Sequence, residues 1–298
     1  MKKFFRRHQG RGSYDLFSSY SHYLPGGKGI FMLLVLFLVG ALLGNIVTLG
    51  LNVFMGEGFS QTYGMIVSYP VMFIPAMLYA SVQSRINEHC TPEVKLDSNN
   101  VGKHGWVKLI FVCIVATIAA AYIVEPLMYL LPQMPEWLEE TMKTLLDDSP
   151  IWVSLISVSL YAPLFEEWLC RGIVLRGMLN RNFSPAAAIA VSSVFFAILH
   201  MNPWQAIPAF LLGVLFGYVY YKTGSLKLTM LMHCVNNTMA VILGKIPAFD
   251  EAETFMDVLS PWAYWCIYAA CIVIVVCTIA IFGSYSQPEK ESQTYPRQ

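Results

Sequence analysis

Long apolar runs recur along the chain at 30–53, 65–83, 107–131, 150–180, 185–201, 206–221, 226–243 and 261–282. They are close to the ~20 residues with which a helix crosses a hydrocarbon core ~30 Å thick. A chain patterned in this way is expected to be an all-α integral membrane protein, a bundle of about eight transmembrane helices. The composition agrees, because 56% of the 298 residues are hydrophobic and 13% are charged. A soluble domain carries about 25% charged residues. The first run does not read as a signal peptide: a basic segment, 1–29, precedes it, its apolar stretch is too long, and no small-residue cleavage site follows.

The loops set an orientation. With the leading MKKFFRRHQGR in the cytoplasm and the chain alternating, every lysine and arginine except Lys143 and Lys245 falls on the cytoplasmic side, Arg171 only marginally so. The opposite loops are acidic, with Glu136, Glu139, Glu140, Asp147 and Asp148 in one and Asp250, Glu251, Glu253 and Asp257 in another. This satisfies the positive-inside rule and needs an even number of crossings, so both termini are expected in the cytoplasm. The zero formal net charge therefore conceals a strong asymmetry across the membrane.

Three regions follow: a basic N-terminal tail (1–29), a polytopic membrane domain (30–283) whose core is 150–244, and a C-terminal tail (284–298). The core is singled out because its spans carry nearly all the polar chemistry. No repeat of fixed period is visible, which argues against a solenoid, and no matching broken helices suggest an inverted-repeat transporter. The segment 132–149 reads as an amphipathic interfacial helix with Trp137, Met142, Leu145 and Leu146 on its apolar side, or else as an acidic loop. Six of the seven cysteines lie inside spans, where they act as small hydrophobes rather than as a disulfide framework.

The stretch APLFEEWLCRGIVLRG, 162–177, places two glutamates and an arginine inside an apolar run. Each charge at mid-membrane costs ~2.5–3.5 kcal/mol on insertion scales, so such residues mark a function by default. Glu167 and Arg171 are four positions apart, in the favourable order for an ion pair on one helix face. Glu166 is rotated by about 100° from that face. A structural salt bridge accounts for Glu167 and Arg171 but not for Glu166, which has no partner in the local sequence. Of six histidines, only His200 and His233 fall within spans, each with a companion four positions away: Phe196 before His200, and Asn237 after His233. Counting from the cytoplasmic span ends at 1.5 Å per residue puts Glu166 and His200 at ~22 Å, Asn237 at ~16 Å and His233 at ~10 Å. A tilt or shift of the seventh span brings all four together. A carboxylate out of water is a stronger base, an imidazole can orient water or bind a metal, and an amide can donate to an oxyanion. Together they suit attack by activated water on an amide carbonyl.

These residues resemble the CPBP family of intramembrane proteases, the CAAX protease and bacteriocin-processing (Abi) family. Its Glu-Glu-x-x-x-Arg motif matches Glu166, Glu167 and Arg171; its Phe-x-x-x-His motif matches Phe196 and His200; its His-x-x-x-Asn motif matches His233 and Asn237. The ordered set covers 166–237. The resemblance implies an eight-helix bundle with a site open toward the cytoplasm, an integral bacterial cytoplasmic-membrane location, and peptide-bond hydrolysis in a membrane-associated, prenylated or bacteriocin-like substrate. It implies Glu166, His200, His233 and Asn237 as catalytic, Glu167 and Arg171 as the ion pair beside them, and Phe196 as lining. The bilayer and a membrane-associated peptide or protein are the expected partners, and nucleic acid is not. No cofactor is expected. A divalent metal such as zinc is the competing option, and it would require Glu166, His200, His233 and Asn237 as ligands, leaving no free base. The chain lacks the His-Glu-x-x-His helix of common zinc proteases. A transporter or ion path lined by the buried charges, and a non-proteolytic scaffold for another membrane protein, are the alternatives. A thiol protease using Cys170 or Cys234 is the weakest, since Cys234 points about 100° away from His233.

Overall fold

The computed structural model describes residues 17–98, 105–143, 149–246 and 254–285. Among these residues all regular structure is helical. In hydrocarbon every backbone polar group must be satisfied within the protein, and a helix does so along its own length. The helices are α1 (Gly27–Met55), α2 (Glu57–Asn87), α3 (Gly105–Val124, prolonged by a 3₁₀ turn, Glu125–Leu130) and the short α4 (Glu136–Lys143). They continue with α5 (Ile151–Asn180), α6 (Pro185–Leu199), α7 (Pro203–Thr223), α8 (Leu226–Leu243), the single turn α9 (Phe255–Val258) and α10 (Pro261–Gly283).

Seven of these are long and apolar enough to cross a membrane. The expected fifth span, 185–201, is the exception: α6 has only 15 residues, or ~22 Å. It stops at Leu199 because Asn202 already caps α7, its side-chain oxygen accepting from Gln205 N–H at 2.9 Å, with Pro203 in the first helical position. The link His200-Met201-Asn202 turns sharply, with Met201 in the left-handed region (φ 54°). The turn that carries His200 therefore lies short of the far end of a full-length span.

α5 is the centre of the bundle. Of its apolar window 61% is buried, against 17% for α10 at the periphery. α1 and α2 pair as a hairpin, α6 and α7 as another, α10 lies on α3, and α8 packs against α3, α5 and α7. One core joins α1, α2, α5, α6 and α7 through residues such as Phe37, Phe73, Trp168, Ile173 and Ile189. A second joins α3, α7, α8 and α10 through Leu109, Phe216, Met232 and Phe282. Large apolar side chains left exposed, such as Leu42 and Ile46 on α1 and Trp262 and Val273 on α10, form the outward surface, as expected where lipid is the solvent.

The ends of α5 are anchored by loops. Residues 17–26, grouped by charge with the tail, are packed under the bundle, with Ser21, Tyr23 and Leu24 buried. Arg176, read from sequence as a cytoplasmic boundary charge, is itself buried. Its guanidinium donates to the carbonyls of Tyr20 (3.0 Å), Tyr23 (2.8 Å) and Ser21 (3.3 Å) and also to that of Val94. Arg181 donates to Leu24 O at 2.8 Å. The strap comes this close because Gly177 has no side chain: a Cβ there would lie 2.5 Å from the Pro25 ring. From the neighbouring loop, Asp97 Oδ1 accepts from Leu226 N–H (2.9 Å) and Lys227 N–H (3.3 Å), capping α8 and setting its height. On the opposite side Glu125 accepts from Phe255 N–H and, at 3.0 Å, from the Tyr264 hydroxyl, so it holds α9 and α10 to the end of α3. In the expected amphipathic segment α4 covers Glu136–Lys143, and Leu145 and Leu146 lie outside the described residues. Trp137 is exposed, and Met142 Sδ accepts from Gln205 at 3.1 Å.

Replacing Arg176 by alanine should release the strap, because several buried carbonyls lose a charged donor, each such bond being worth ~1.5–3 kcal/mol. The expected outcome is a clear fall in melting temperature and new proteolysis within 17–26. Unchanged melting and an unchanged digestion pattern would show that the strap is held by other contacts.

Candidate active site

α5 is not a regular helix. In Leu155–Tyr161 and again in Trp168–Leu175 the turns widen to π geometry, flanking the short α-helical piece Ala162–Glu167 that carries both glutamates. Such wide turns are rare and gather at functional sites. Pro163 gives the first one a physical consequence. Ala162 N–H bonds Ser157 O, five residues back. The same register would pair Val158 O with residue 163, and proline has no N–H. Asn237 supplies the missing donor from α8, its Nδ2 lying 2.8 Å from Val158 O. Asn237 Oδ1 in turn accepts from Asn236 at 3.1 Å. One N–H of the Asn237 amide is left over.

Glu167 and Arg171 are fully buried and joined at 2.8 Å between Oε1 and Nη1. The pair is the hub of a larger network. Arg171 Nη2 donates to Gly213 O at 3.0 Å, and its guanidinium lies over the rings of Phe196 (4.6 Å) and Phe216 (5.6 Å). Glu167 Oε1 also meets His233 Nδ1 at 3.1 Å. α7 can approach because residue 213 is glycine: a Cβ there would sit 3.2 Å from Arg171 Nη2 and 3.2 Å from the Phe196 ring. Phe196 touches all three motifs, with both imidazoles edge-on to it, His200 at 5.1 Å and His233 at 5.3 Å between centroids.

The bonding partners fix the histidine tautomers. His200 Nδ1 lies 3.0 Å from Phe196 O, and a carbonyl only accepts, so Nδ1 carries the proton and Nε2 of the neutral ring is the free acceptor. The His200 carbonyl receives Asn202 Nδ2 at 2.9 Å, so the turn holds both ring and backbone. His233 is tied through Nδ1 to the Glu167 carboxylate, and its Nε2 is the nitrogen left for other work. The sequence reading paired Glu167 with Arg171 alone. The structure makes it also the carboxylate that orients His233.

Glu166 is buried beside this network without joining it. Its expected lack of a partner holds only for the local sequence: from α2, the Tyr69 hydroxyl donates to Glu166 Oε1. Among the described residues nothing donates to its buried Oε2, and Glu167 Oε2 is likewise without a donor. A buried carboxylate oxygen left open is costly unless water or a ligand meets it.

A metal held by Glu166, His200, His233 and Asn237 would need their free lone pairs to converge. Each imidazole has Nδ1 held by a carbonyl or a carboxylate and Nε2 left as the candidate ligand atom, while Asn237 is turned by its two amide contacts. Among the described residues no three His, Cys, Asp or Glu side chains are grouped closely enough to hold an ion.

The two neighbouring carboxylates should respond differently to substitution. Glu167→Gln and Arg171→Ala each leave a buried charge uncompensated, at ~3–5 kcal/mol, and should lower folded yield and melting temperature. Glu166→Gln keeps an acceptor for Tyr69 and should fold almost normally. Asn237→Ala exposes the orphan carbonyl of Val158 and should cost ~1–3 kcal/mol. Monodisperse yield in detergent and thermal unfolding read all four. If Glu166→Gln is the variant that fails to fold, the roles of the two carboxylates are reversed.

Comparison with known proteins bears on the same segment. Residues 148–239 match the family model described as Rce1-like, type II CAAX prenyl endopeptidase. The membrane-embedded CAAX protease MroQ of Staphylococcus aureus (strain USA300) is 30% identical over 108 residues, which are 34% of this chain and 43% of that protein. The chain thus spans less than half the length of this curated relative. No solved structure matches it. Residues 148–239, which hold all three motifs in order, are thus similar to CAAX-type membrane proteases.

Proposed function

We propose that this protein is an intramembrane endopeptidase that hydrolyses a peptide bond of a membrane-associated substrate, with Glu166 as general base toward a water molecule. The observation that carries the reading is the state of Glu166: buried, held through one oxygen, and open at the other. A water on Oε2 would lose a proton to the carboxylate as it attacks the scissile carbonyl, and the same carboxyl can return that proton to the leaving amine. His200, with its Nε2 lone pair free, is suited to accept a hydrogen bond from that water and fix its direction. The oxyanion needs donors. The remaining N–H of Asn237 is one, and His233, when protonated, can supply another from Nε2 while Glu167 balances its charge. Arg171 takes no part in the reaction in this scheme; it holds Glu167 in place.

The family match and the CAAX protease relative support peptide hydrolysis over a transport role. The polar groups also favour it, because they form one cluster around Phe196 rather than a file along the bundle. A membrane-bound peptide, prenylated or bacteriocin-like, is the proposed substrate class. The proposed location is a bacterial cytoplasmic membrane with both termini inside.

Membrane-reconstituted protein should cleave members of a membrane-embedded peptide library, and Glu166→Gln should abolish cleavage because the amide cannot take the proton. His200→Ala should be severely impaired, and His233→Ala and Asn237→Ala should each lose about 100- to 1000-fold, as for one oxyanion donor removed. Activity should survive exhaustive chelation. Loss to chelator with restoration by one divalent ion, together with bound metal that disappears in His200→Ala and His233→Ala, would make the enzyme a metalloprotease instead. For orientation, single cysteines replacing Glu88 and Glu136 in a cysteine-free chain should label from inside and outside respectively, and the reverse pattern would refute the topology.

A further inference from the structure

Tyr69 belongs to none of the three motifs and has no role in the scheme above. It lies 97 positions from Glu166 in sequence, yet its hydroxyl donates to Glu166 Oε1. We propose that Tyr69 is a positioning residue for the base: it occupies one carboxylate oxygen, so that the other, Oε2, is always the one that meets water. The proposal rests on the reading of Glu166 as general base.

The need for such a group follows from the chemistry of a glutamate side chain. Its terminal torsion is broad and nearly two-fold, so an untethered carboxylate can present either oxygen and swing through a wide arc. For Glu167 the tether is Arg171, reinforced by His233. Arg171 is engaged on Glu167, Gly213 O and the Phe196 face, about 140° around an ideal helix from Glu166. A donor from outside α5 has to do the equivalent for Glu166, and a neutral phenol does so without cancelling the charge that makes the carboxylate a base. A hydrogen bond to an ionised acceptor is among the stronger ones.

The surroundings of Tyr69 hold that phenol still. Phe73, one turn along α2, has its ring 5.7 Å from Tyr69 and stacks on Phe165 at 5.3 Å with 17° between planes. Phe165 immediately precedes Glu166, so the stack clamps α2 to α5 one residue from the carboxylate. Phe37 of α1 backs the same ring of Phe73 at 5.4 Å. Helix and stack together aim one hydroxyl at one oxygen.

Tyr69→Phe removes the hydroxyl and keeps the ring and its stack. It should fold, and in the cleavage assay kcat should fall about 10- to 100-fold, the worth of one hydrogen bond to a charged group. KM should stay within about two-fold, because no substrate contact is lost. A double-mutant cycle on thermal unfolding with Tyr69→Phe, Glu166→Ala and the double variant reads the contact without any activity. The expected shifts are non-additive, Tyr69→Phe having little further effect once Glu166 is gone. An unchanged kcat, a loss confined to KM, or additive melting shifts would each overturn the proposal. A wild type that cleaves no peptide would instead sink the enzymatic reading, and the cycle would then decide the Tyr69–Glu166 contact alone, additive shifts overturning it.

Discussion

A fully buried arginine is the constraint from which the rest of this bundle follows. Charges in a low-dielectric interior are tolerated only when paired and hydrogen-bonded. Arg171 meets that condition by drawing on four elements at once: Glu167 on its own helix, Gly213 O on α7, the Phe196 ring on α6, and, through Glu167, His233 on α8. Each of these demands shapes its helix. α7 must offer a carbonyl and no side chain at 213, α6 must turn an aromatic face inward at 196, and α8 must stand at the height that brings residue 233 level with 167. The Asp97 cap on α8 and the Arg176 anchorage of α5 are what hold those heights. The site is therefore assembled by the ion pair as much as decorated with it.

The irregularity of α5 belongs to the same logic. A regular α-helix satisfies its own backbone and offers its neighbours only side chains. Pro163 and the wide turns around it release a carbonyl at Val158, and that carbonyl recruits Asn237. The Asn of the third motif thus has a structural reason to be where it is, and the one N–H it retains is the part left for chemistry. The cost of an irregular helix in the centre of the bundle is offset by a side-chain cross-link to α8 that a regular helix could not have made.

Much of this was legible in the sequence wherever the signal was local or periodic. The apolar runs locate most helices to within a few residues, though α2 begins at Glu57, eight residues before its run, and the four-residue spacings put Glu167 with Arg171 and Phe196 with His200. Contacts between distant segments left no such trace: Tyr69 with Glu166 and Glu167 with His233, 97 and 66 positions apart, obey no period. Two further features did have a local signal. The apolar run through His200 and Met201 hid the end of α6, although Asn202-Pro203 is a helix start. Pro163 inside a span announced a carbonyl in need of a partner. Arg176 is different: the charge bias counts it among the loop charges, whereas it lies in the interior and binds a strap that composition alone assigns to a tail.

The adjacent glutamates show how one chemical group acquires two jobs. Successive residues on a helix point about 100° apart, so Glu166 and Glu167 look into different surroundings although they share a backbone. Glu167 faces α6, α7 and α8, and its Oε1 serves a guanidinium and an imidazole together. Glu166 faces α2, where among the described residues a single neutral hydroxyl meets it and no cation does. The carboxylate bound to arginine and imidazole is committed to holding the network, and the one held by a phenol keeps an oxygen open toward the site. Exchanging the two environments would require rotating α5 by one residue, which would pull Arg171, Phe196 and Gly213 out of register together. The division of labour is thereby locked into the packing of four helices around Arg171 rather than left to the two side chains.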